Sequence, residues 1–309
     1  MPRIINIGIA GATGYAGQEL IKLAVRHQGI KLTTAMSSGA VESNRHLPAL
    51  SKIWNGEIAP LSIDQLAAKT EAVFLALPDK VAAQVGPELI TRGVRVFDLS
   101  GAFRLREEKQ RARWYPATPH LTETAVYGLT EYSRTELPEA RLIACPGCYP
   151  TAAVLALRPL LEAGLLEEDI IIDAKSGISG AGKKPSERTH FSECHGNVAT
   201  YGVFAHRHGA EIEQELGHSV TFTPHLIPLD RGILETIYVR TREGINETDI
   251  ANTFHRAYLD APFVRLTGEV LPEIKNVTQT NFCDIGWKKD TNSTRLLLVA
   301  CLDNLIKGA

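Results

Sequence analysis

The strongest constraint on the fold lies at the start of the chain, where a short apolar run ends in closely spaced glycines. Residues 4–10 (IINIGIA) are unbroken and rich in β-branched side chains, which predicts a buried strand. The next stretch, GATGYAG, has a glycine at every third position, and residues 16–28 then have the pattern of a helix. A strand, a tight glycine turn and a helix in this order predict the first unit of a layered α/β fold.

The glycine loop also predicts a binding site for a dinucleotide. Without a Cβ, the backbone can turn sharply and bring its amides close to a pyrophosphate, and the helix N-terminus adds partial positive charge. A plain tight turn is the alternative, but the strand and helix on either side favour the binding site. The predicted cofactor contacts in this loop are Gly11, Thr13, Gly14, Tyr15, Ala16 and Gly17.

Strands and helices alternate through the first half of the chain. Further strands are predicted over 31–36, 72–77 and 94–99, with helices near 62–69 and 80–92. This alternation predicts a Rossmann-type α/β domain with a parallel, doubly wound sheet.

The pattern changes from about residue 150, where strands become more frequent. A helix over 151–164, interrupted by Pro159, precedes strands over 169–174, 219–227, 233–240 and 262–266. The tail 294–308 has helical apolar spacing and predicts a final helix. The second half is therefore predicted to be an α+β domain with a mixed or antiparallel sheet.

The end of the second strand indicates which dinucleotide binds. NAD sites usually place an acidic residue about 20 residues after the glycines, where it bonds the ribose hydroxyls. This chain has Ser37 and Ser38 there, and no carboxylate until Glu42. Hydroxyls and amides accept a 2′-phosphate that an acid would repel, so NADP(H) is the predicted cofactor.

These patterns predict two domains. Residues 1–147 are the NADP-binding domain, completed by a C-terminal helix over 290–309, and residues 148–289 are the second domain.

Composition excludes several classes of partner. The 309 residues carry a net charge of -2 spread along the chain, which argues against nucleic acid as a partner. The sequence contains no apolar run near the roughly 20 residues of a membrane-spanning helix, and no signal peptide is recognised. Five cysteines in such a chain indicate thiols in a reducing cytoplasm.

The stretch CPGCYPT contains two cysteines, of which Cys148 is the better candidate for a nucleophile. A helix is predicted to begin just after it, and a helix N-terminus lowers the pKa of a nearby thiol. Cys145 ends the preceding strand. A zinc site with Cys194 and His195, and a regulatory disulfide between Cys145 and Cys148, are the alternatives.

Motifs along nearly the whole chain resemble the N-acetyl-γ-glutamyl-phosphate reductase family of arginine biosynthesis. They are GATGYAG, the block from Ile143 to Pro159 with PGCYPTA, DLS with FRL, SGISGAG, HRH followed by AEI, and TNF at 280–282. Two positions depart from the family pattern: Gly101-Ala102 stands where Ala-Asp is usual, and Ala210 where proline is usual.

The resemblance implies a glyceraldehyde-3-phosphate dehydrogenase-like C-terminal domain and NADPH-dependent reduction of an acyl phosphate to an aldehyde through a cysteine thioester. It assigns catalysis, substrate binding and oligomerisation to residues 148–289. Cys148 would be the nucleophile, and His208 or His206 the acid–base group. Further implied cofactor contacts are Leu77, Pro78, Ser179, Gly180 and Asn281. Implied substrate contacts are Ser100, Arg104, Lys183, Lys184, Arg207 and Glu211. The implied partners are N-acetylglutamyl phosphate, inorganic phosphate and further copies of the chain, in a dimer or tetramer.

Three other functions stay open on the sequence. Aspartate-semialdehyde dehydrogenase shares the thioester chemistry, but HRH and PGCYPT argue against it. A lysine-pathway reductase would act on a protein-bound acyl phosphate. A non-catalytic NADP-binding redox sensor would use Cys145 and Cys148 instead.

Overall fold

The chain divides into two units, Met1–Pro146 and Gly147–Ala309. In the computed structural model, residues 3–38, 43–116, 118 and 124–309 are described. Glu42 and Gly39, which follow the predicted ribose-binding serines, lie outside this set. Within the described residues, no helix combines the length and apolar character that crossing a membrane requires.

The first unit is built on a seven-stranded sheet with the order β3-β2-β1-β4-β5-β7-β6. All six neighbouring pairs are parallel. The strands are β1 (Ile5–Ala10), β2 (Ile30–Ser37), β3 (Ile58–Pro60), β4 (Ala72–Leu75), β5 (Arg95–Asp98), β6 (Val126–Tyr127) and β7 (Leu142–Ala144). The helices are α1 (Tyr15–Ala24), α2 (Ile63–Lys69), α3 (Asp79–Thr91), α4 (Glu108–Trp114) and α5 (Thr130–Ser133).

Burial explains why these strands are continuously apolar. Ile9 is fully buried with Ala35 and Ile58, while Val73 and Leu75 belong to a separate core cluster. Strands covered on both faces lose the polar–apolar alternation of half-exposed ones, and each buried aliphatic side chain contributes about 1.5–3 kcal/mol. The predicted α/β class and doubly wound sheet are confirmed, and β1 and β4 adjoin at the point where the strand order reverses.

The second unit contains a mixed seven-stranded sheet with the order β12-β13-β14-β11-β8-β10-β9. Strands β8 and β10 are parallel, as are β12 and β13, and the other pairs are antiparallel. The strands are β8 (Ile171–Gly177), β9 (Ala199–Thr200), β10 (Thr221–Ile227), β11 (Ile233–Arg240), β12 (Val264–Gly268), β13 (Cys283–Lys289) and β14 (Arg295–Leu302). The helices are α6 (Cys148–Glu162), α7 (Phe191–Cys194), α8 (Arg207–Leu216) and α9 (Glu247–Ala257). The predicted α+β class is confirmed.

The predicted C-terminal helix is wrong. Most of the segment from 294 to 308 is the strand β14, which pairs with β11 on one side and β13 on the other. Six of its eight residues are buried, and such a run cannot be told from a buried helix by periodicity alone. Residues 290–309 therefore belong to the second unit and do not complete the first.

Helix α6 continues through Pro159, which was predicted to interrupt it. A proline inside a helix removes the N–H that would bond the carbonyl four residues earlier. That carbonyl belongs to Leu155, and it accepts a hydrogen bond from the Tyr258 hydroxyl, which lies just after α9. A distant side chain thus supplies the missing donor, and nothing near Pro159 in sequence indicates it.

Candidate active site

The glycine loop of the first unit is shaped so that a Cβ would not fit at two positions. Gly11 has φ +92, and a Cβ there would lie 2.0 Å from the Ala76 carbonyl oxygen. A Cβ on Gly17 would lie 2.2 Å from the Gly11 oxygen. The Gly11 and Ala12 amides both donate to the Met36 carbonyl, which ties the loop to the end of β2. This close-packed backbone fits the approach of a pyrophosphate.

Helix α1 starts at the end of this loop with its N-terminus uncapped by a side chain. Its N-cap residue is Gly14, in an extended conformation, and none of the described side chains caps it. The first N–H groups of a helix have no partner within the helix, and together with the dipole they attract anions. In the loop, Thr13 and Gly14 are half-buried, Tyr15 is exposed and Ala16 is half-buried.

The ends of β2 and β4 place the other predicted cofactor contacts of this unit. The Ser37 hydroxyl lies 3.0 Å from the Thr13 hydroxyl, so the second strand and the glycine loop meet there. Ser38 is exposed. Leu77 is buried after β4, and the exposed Pro78 is the N-cap of α3. Because the carboxyl ends of parallel strands share one edge of the sheet, these residues lie where doubly wound sheets bind ligands.

A buried polar network lies at the ends of β5 and β7. Asp98 is fully buried and accepts hydrogen bonds from the Ser100 N–H at 3.1 Å and the Ser100 hydroxyl at 2.8 Å. Burial raises the pKa of Asp98 to about 6, although the Ser100 bonds oppose the shift. Arg104 is also buried, and its guanidinium donates to the carbonyls of Cys145 and Leu99, both at 2.8 Å. The two predicted substrate contacts Ser100 and Arg104 are thus part of one network.

The same network makes Cys145 a poor nucleophile. Its N–H donates to the Asp98 carbonyl at 2.8 Å. Burial, with a further contribution from the Asp98 carboxylate, raises the pKa of the Cys145 thiol to about 12. The thiolate is the reactive form, so very little of Cys145 is reactive at neutral pH.

The departure at Gly101 has a local cause. A Cβ there would lie 2.1–2.3 Å from the ring and hydroxyl of Tyr115, which is buried. The Tyr115 ring therefore leaves no room for a side chain at position 101 in this chain. The Gly101 N–H also donates to the Asp79 carboxylate at 2.9 Å.

In the second unit, Cys148 is the first residue of α6, whereas the helix was predicted over 151–164 and after the cysteine. Gly147 is the N-cap, in an extended conformation, and offers no side-chain cap. Cys148 is half-buried. A Cβ added to Gly308 would lie 3.0 Å from the Cys148 Cβ, so the turn after β14 packs directly against the cysteine.

Two histidines lie at the start of α8, in a cluster of aromatic rings that includes the neighbour of Cys148. The rings of His206 and His208 are 4.8 Å apart at an angle of 77°. Tyr149 meets both edge-on, at 5.9 Å from His206 and 5.8 Å from His208. Tyr201 and Phe222 contact His206 at 5.4 and 5.5 Å. The structure therefore brings the cysteine-bearing helix start and the HRH segment together.

The two histidines have different environments. His206 is the N-cap of α8, where its Nδ1 accepts the His208 N–H at 3.1 Å. Burial, reinforced by the neighbouring Arg207 charge, lowers the pKa of His206 to about 4, so this ring is neutral at pH 7. His208 is buried within the first turn of α8. Ala210, where the family pattern has proline, is the fourth residue of α8.

The remaining predicted contacts of the second unit lie in several places. Lys183, Lys184 and Arg207 are exposed, and Asn281 is half-buried. The Ser179 hydroxyl accepts from the Asn304 side chain at 3.0 Å. A Cβ on Gly180 would lie 2.8 Å from the Ser176 hydroxyl. Glu211 is fully buried, and its Oε1 accepts the Gly147 N–H at 2.7 Å.

Other side chains at this site were not predicted from the sequence. The Tyr149 and Tyr201 hydroxyls are 3.4 Å apart, and burial raises the pKa of both. The Arg188 guanidinium lies 5.3 Å from the Tyr201 ring and lines a cleft of about 670 Å³ that also contains Cys194. Tyr149 stands within the PGCYPT motif and could have been found there, whereas Arg188 has no sequence signal.

The described residues contain no group of three or more His, Cys, Asp or Glu side chains that could hold a metal ion. All five cysteines fall within these residues, and none is in a disulfide.

Both halves of the chain match known domains. Residues 6–140 match "Semialdehyde dehydrogenase, NAD binding domain", and residues 148–304 match "Semialdehyde dehydrogenase, dimerisation domain". Among solved structures, aspartate semialdehyde dehydrogenase II from Vibrio cholerae superposes with a TM-score of 0.75 at 16% identity, covering 99% of this chain and 95% of that one. An aspartate semialdehyde dehydrogenase solved with NADP, from Candida albicans, superposes with a TM-score of 0.68 at 13% identity, covering 99% and 95%. These structural matches support the fold.

Relatives found by sequence share a higher identity with this chain than these two structures do. The N-acetyl-gamma-glutamyl-phosphate reductase of Geobacillus stearothermophilus is 42% identical over 320 residues, which cover 99% of this chain and 92% of the relative. Those of Geobacillus sp. (strain WCH70) and Akkermansia muciniphila are each 41% identical, with the same coverage. The chain therefore belongs to the semialdehyde dehydrogenase family and, within it, to the N-acetyl-gamma-glutamyl-phosphate reductases.

Proposed function

We propose that this protein reduces N-acetyl-L-glutamyl 5-phosphate to N-acetyl-L-glutamate 5-semialdehyde, with NADPH as the reductant and release of phosphate. The observation that carries the proposal is the 42% identity to an N-acetyl-gamma-glutamyl-phosphate reductase over 99% of the chain. The placement of Cys148 at a helix start, next to a ring that contacts two histidines, supports it.

Cys148 is the proposed nucleophile. Its thiolate attacks the acyl carbon, the bond to the phosphate oxygen breaks, and phosphate leaves with that electron pair. The product is a thioester on Cys148, which accepts hydride more readily than a carboxylate does. The first turn of α6 favours the thiolate because a helix N-terminus carries partial positive charge.

When bound, NADPH supplies the hydride that converts the thioester to a thiohemiacetal. The glycine loop, Ser37, Ser38, Leu77 and Pro78 of the first unit would hold it. Ser179, Gly180 and Asn281 are further cofactor contacts that the family resemblance implies. The bare start of α1 and the Cβ-free backbone at Gly11 and Gly17 fit the pyrophosphate. Ser37, the last residue of β2, and the exposed Ser38 after it are the proposed contacts of the 2′-phosphate.

His208 is the proposed acid–base group. Collapse of the thiohemiacetal moves a proton from its hydroxyl as the carbon–sulfur bond breaks and thiolate leaves. His206 is less suited to this step because its Nδ1 caps α8 and its pKa is lowered to about 4. For phosphate and the substrate carboxylate, the proposed cations are the exposed Lys183, Lys184 and Arg207, together with Arg104 in the first unit. Ser100, also in the first unit, is a proposed neutral contact.

The test is the reverse reaction. Purified protein should reduce NADP⁺ when given N-acetylglutamate semialdehyde, and the rate should depend on added phosphate. Aspartate semialdehyde, tested in parallel, should react at least tenfold more slowly. Absence of phosphate-dependent reduction would favour the redox-sensor alternative, and equal or faster reaction of aspartate semialdehyde would favour an aspartate-semialdehyde dehydrogenase. A lysine-pathway reductase would instead require an acyl group carried on a protein.

A homo-oligomer is the proposed assembly, formed through the second unit. One face of its sheet presents half-exposed apolar side chains, such as Ile171 at 38% and Tyr238 at 48%, and the matching domain is described as a dimerisation domain. Whether it is a dimer or a tetramer, and its cytoplasmic location, stay predictions. Light scattering of the purified protein measures the mass of the assembly.

A further inference from the structure

A buried carboxyl group meets the start of the cysteine-bearing helix. Glu211 lies on α8 and has no exposed surface. Its Oε1 accepts a 2.7 Å hydrogen bond from the N–H of Gly147, the N-cap of α6 and the residue before Cys148. The two residues are 64 positions apart in sequence, so only the fold brings them together.

This bond matters because α6 has no local cap. Ser, Thr, Asp or Asn usually stands at the N-cap and satisfies one of the unpaired N–H groups, which a glycine cannot do with a side chain. A carboxylate near a helix N-terminus also interacts favourably with the helix dipole. Glu211 therefore provides, from another helix, both the acceptor and the charge that the first turn of α6 lacks.

The same helix carries the histidine that we propose for proton transfer. His208 and Glu211 are three residues apart on α8, a spacing that places two side chains on the same face of a helix, and both are buried. Tyr149, next to Cys148, meets the His208 ring edge-on. One contact through Glu211 and another through Tyr149 thus join the start of α6 to the start of α8.

We propose that Glu211 is a positioning residue, which holds the start of α6 against α8 so that Cys148 stays beside the histidine pair, and that it does not bind substrate. The role assigned to Cys148 and His208 rests on the proposed function, but the contact between Glu211 and Gly147 does not. Full burial of Glu211 leaves it no surface to offer a ligand, whereas the exposed Lys183, Lys184 and Arg207 have one.

The charge of Glu211 should also change the acidity of the Cys148 thiol. The titratable and charged groups near the start of α6 in this unit include Tyr149, Tyr201, His206, His208, Arg188, Arg207 and Glu211. Among them Glu211 brings a negative charge to the N-cap, which opposes the helix dipole and disfavours the thiolate. Removal of that charge alone should make Cys148 more acidic.

The experiment compares Glu211→Gln with Glu211→Ala and uses Glu213→Gln as the matched control. Glu213 lies on the same helix and also accepts a backbone N–H, that of Val220, but is exposed. The rate of iodoacetamide alkylation at Cys148, located by peptide mapping, is measured against pH without substrate. kcat and KM for the acyl phosphate are measured separately.

Glu211→Gln keeps an oxygen acceptor and loses the charge, so the alkylation midpoint should move down by about one pH unit. Glu211→Ala should lower kcat by about 10- to 100-fold while KM changes less than threefold, and Glu213→Gln should match the wild type. If Glu211→Ala does not fold, Glu211→Gln carries the test alone.

An unchanged alkylation profile in Glu211→Gln, together with a tenfold higher KM, would overturn the proposal. Because alkylation needs no turnover, a shifted midpoint in a protein inactive on N-acetylglutamyl phosphate would count against the proposed function and leave the role of Glu211 standing.

Discussion

Helices α1 and α6 begin in nearly the same way and are put to different uses. Both have a glycine N-cap in an extended conformation, Gly14 with φ -72 and ψ 169 and Gly147 with φ -68 and ψ 156, and neither glycine has a side chain that could cap its own helix. At α1 the surrounding glycine backbone can approach an anion. At α6 the Gly147 N–H is bonded to Glu211, and the first helical residue is a thiol. One local backbone motif thus suits either a ligand or a nucleophile, and the contacts from outside the helix make the difference.

Two buried carboxyl groups, Asp98 in the first unit and Glu235 in the second, form a second contrast. Asp98 in the first unit accepts two hydrogen bonds from Ser100. Glu235 on β11 is paired across the sheet with Ala174 and Ala300, and neither of its oxygens has a hydrogen-bond partner among the described residues. Burial raises the pKa of Glu235 well above its usual 4.5, with Lys175 opposing the shift. A buried carboxyl with partners is tolerated, while one without them destabilises the fold.

The largest expected effect comes from the thiol at the start of α6. Cys148→Ser should lower the rate of acyl phosphate reduction by about 10³-fold or more, because a hydroxyl is far less ionised than a thiol and forms a poorer hydride acceptor. Fluorescence titration should show nearly unchanged NADPH binding. Cys145→Ser is the control and should cost little activity. Mass spectrometry with acyl phosphate and no NADPH should find the acyl group on Cys148, and an adduct on Cys145 would reverse the assignment.

The next prediction concerns the close-packed glycine backbone at the start of α1. Gly17→Ala would place a Cβ 2.2 Å from the Gly11 oxygen, so the loop must shift. We expect NADPH affinity to fall by about 100-fold and the free energy of unfolding to fall by about 1–3 kcal/mol. The alkylation rate of Cys148 should stay at the wild-type value, because the start of α1 is proposed to bind the cofactor and the start of α6 to carry the nucleophile. NADPH affinity within threefold of the wild type would show that the close approach at Gly17 is not needed for binding.

A negative charge introduced after β2 tests the predicted preference for NADPH over NADH. Ser38 is exposed, and Ser38→Asp should repel a 2′-phosphate at that strand end. The preference for NADPH over NADH, measured as the ratio of kcat/KM values, should fall by about 10- to 100-fold, which corresponds to about 1.4–2.8 kcal/mol. Equal kcat/KM values with both cofactors in the wild-type protein would remove the basis for the NADP assignment.

The smallest expected effect concerns stability, and it tests the contrast between the buried carboxyl groups. Below pH 4.5, Glu235 is protonated in both the folded and the unfolded chain. Above that pH the unfolded chain loses the proton and the folded chain keeps it, so the free energy of unfolding falls as pH rises. Glu235→Gln lacks this loss and should be more stable by about 1–3 kcal/mol at pH 7.

Urea unfolding at pH 5, 6, 7 and 8 measures the effect of Glu235→Gln, whose advantage should grow with pH. Asp98→Asn is the comparison variant and should destabilise, since the amide puts a donor where Asp98 accepts from Ser100. A pH-independent difference at Glu235 would mean that this side chain ionises in the folded protein.

Local patterns in the sequence were sufficient for much of the fold and of the site. Alternating strands and helices indicated the parallel sheet, because strands buried on both faces and short amphipathic helices have distinct lengths and boundaries. The glycine spacing marked the loop before α1, because only glycine permits those backbone positions. Proline and glycine around Cys148 placed it near a helix start, and the observed helix begins at Cys148 itself, three residues before the predicted range of 151–164.

The tertiary structure determined the features that depend on contacts between distant residues. Strand β14 resembles a helix in sequence, and only its pairing with β11 and β13 makes it a strand. Pro159 is tolerated because Tyr258 bonds the carbonyl it leaves unpaired, and Gly147 obtains a cap because α8 brings Glu211 to it. Hydrogen-bonding groups are satisfied by whichever partner the packing brings near, and residues more than 60 positions apart carry no sequence signal of that meeting.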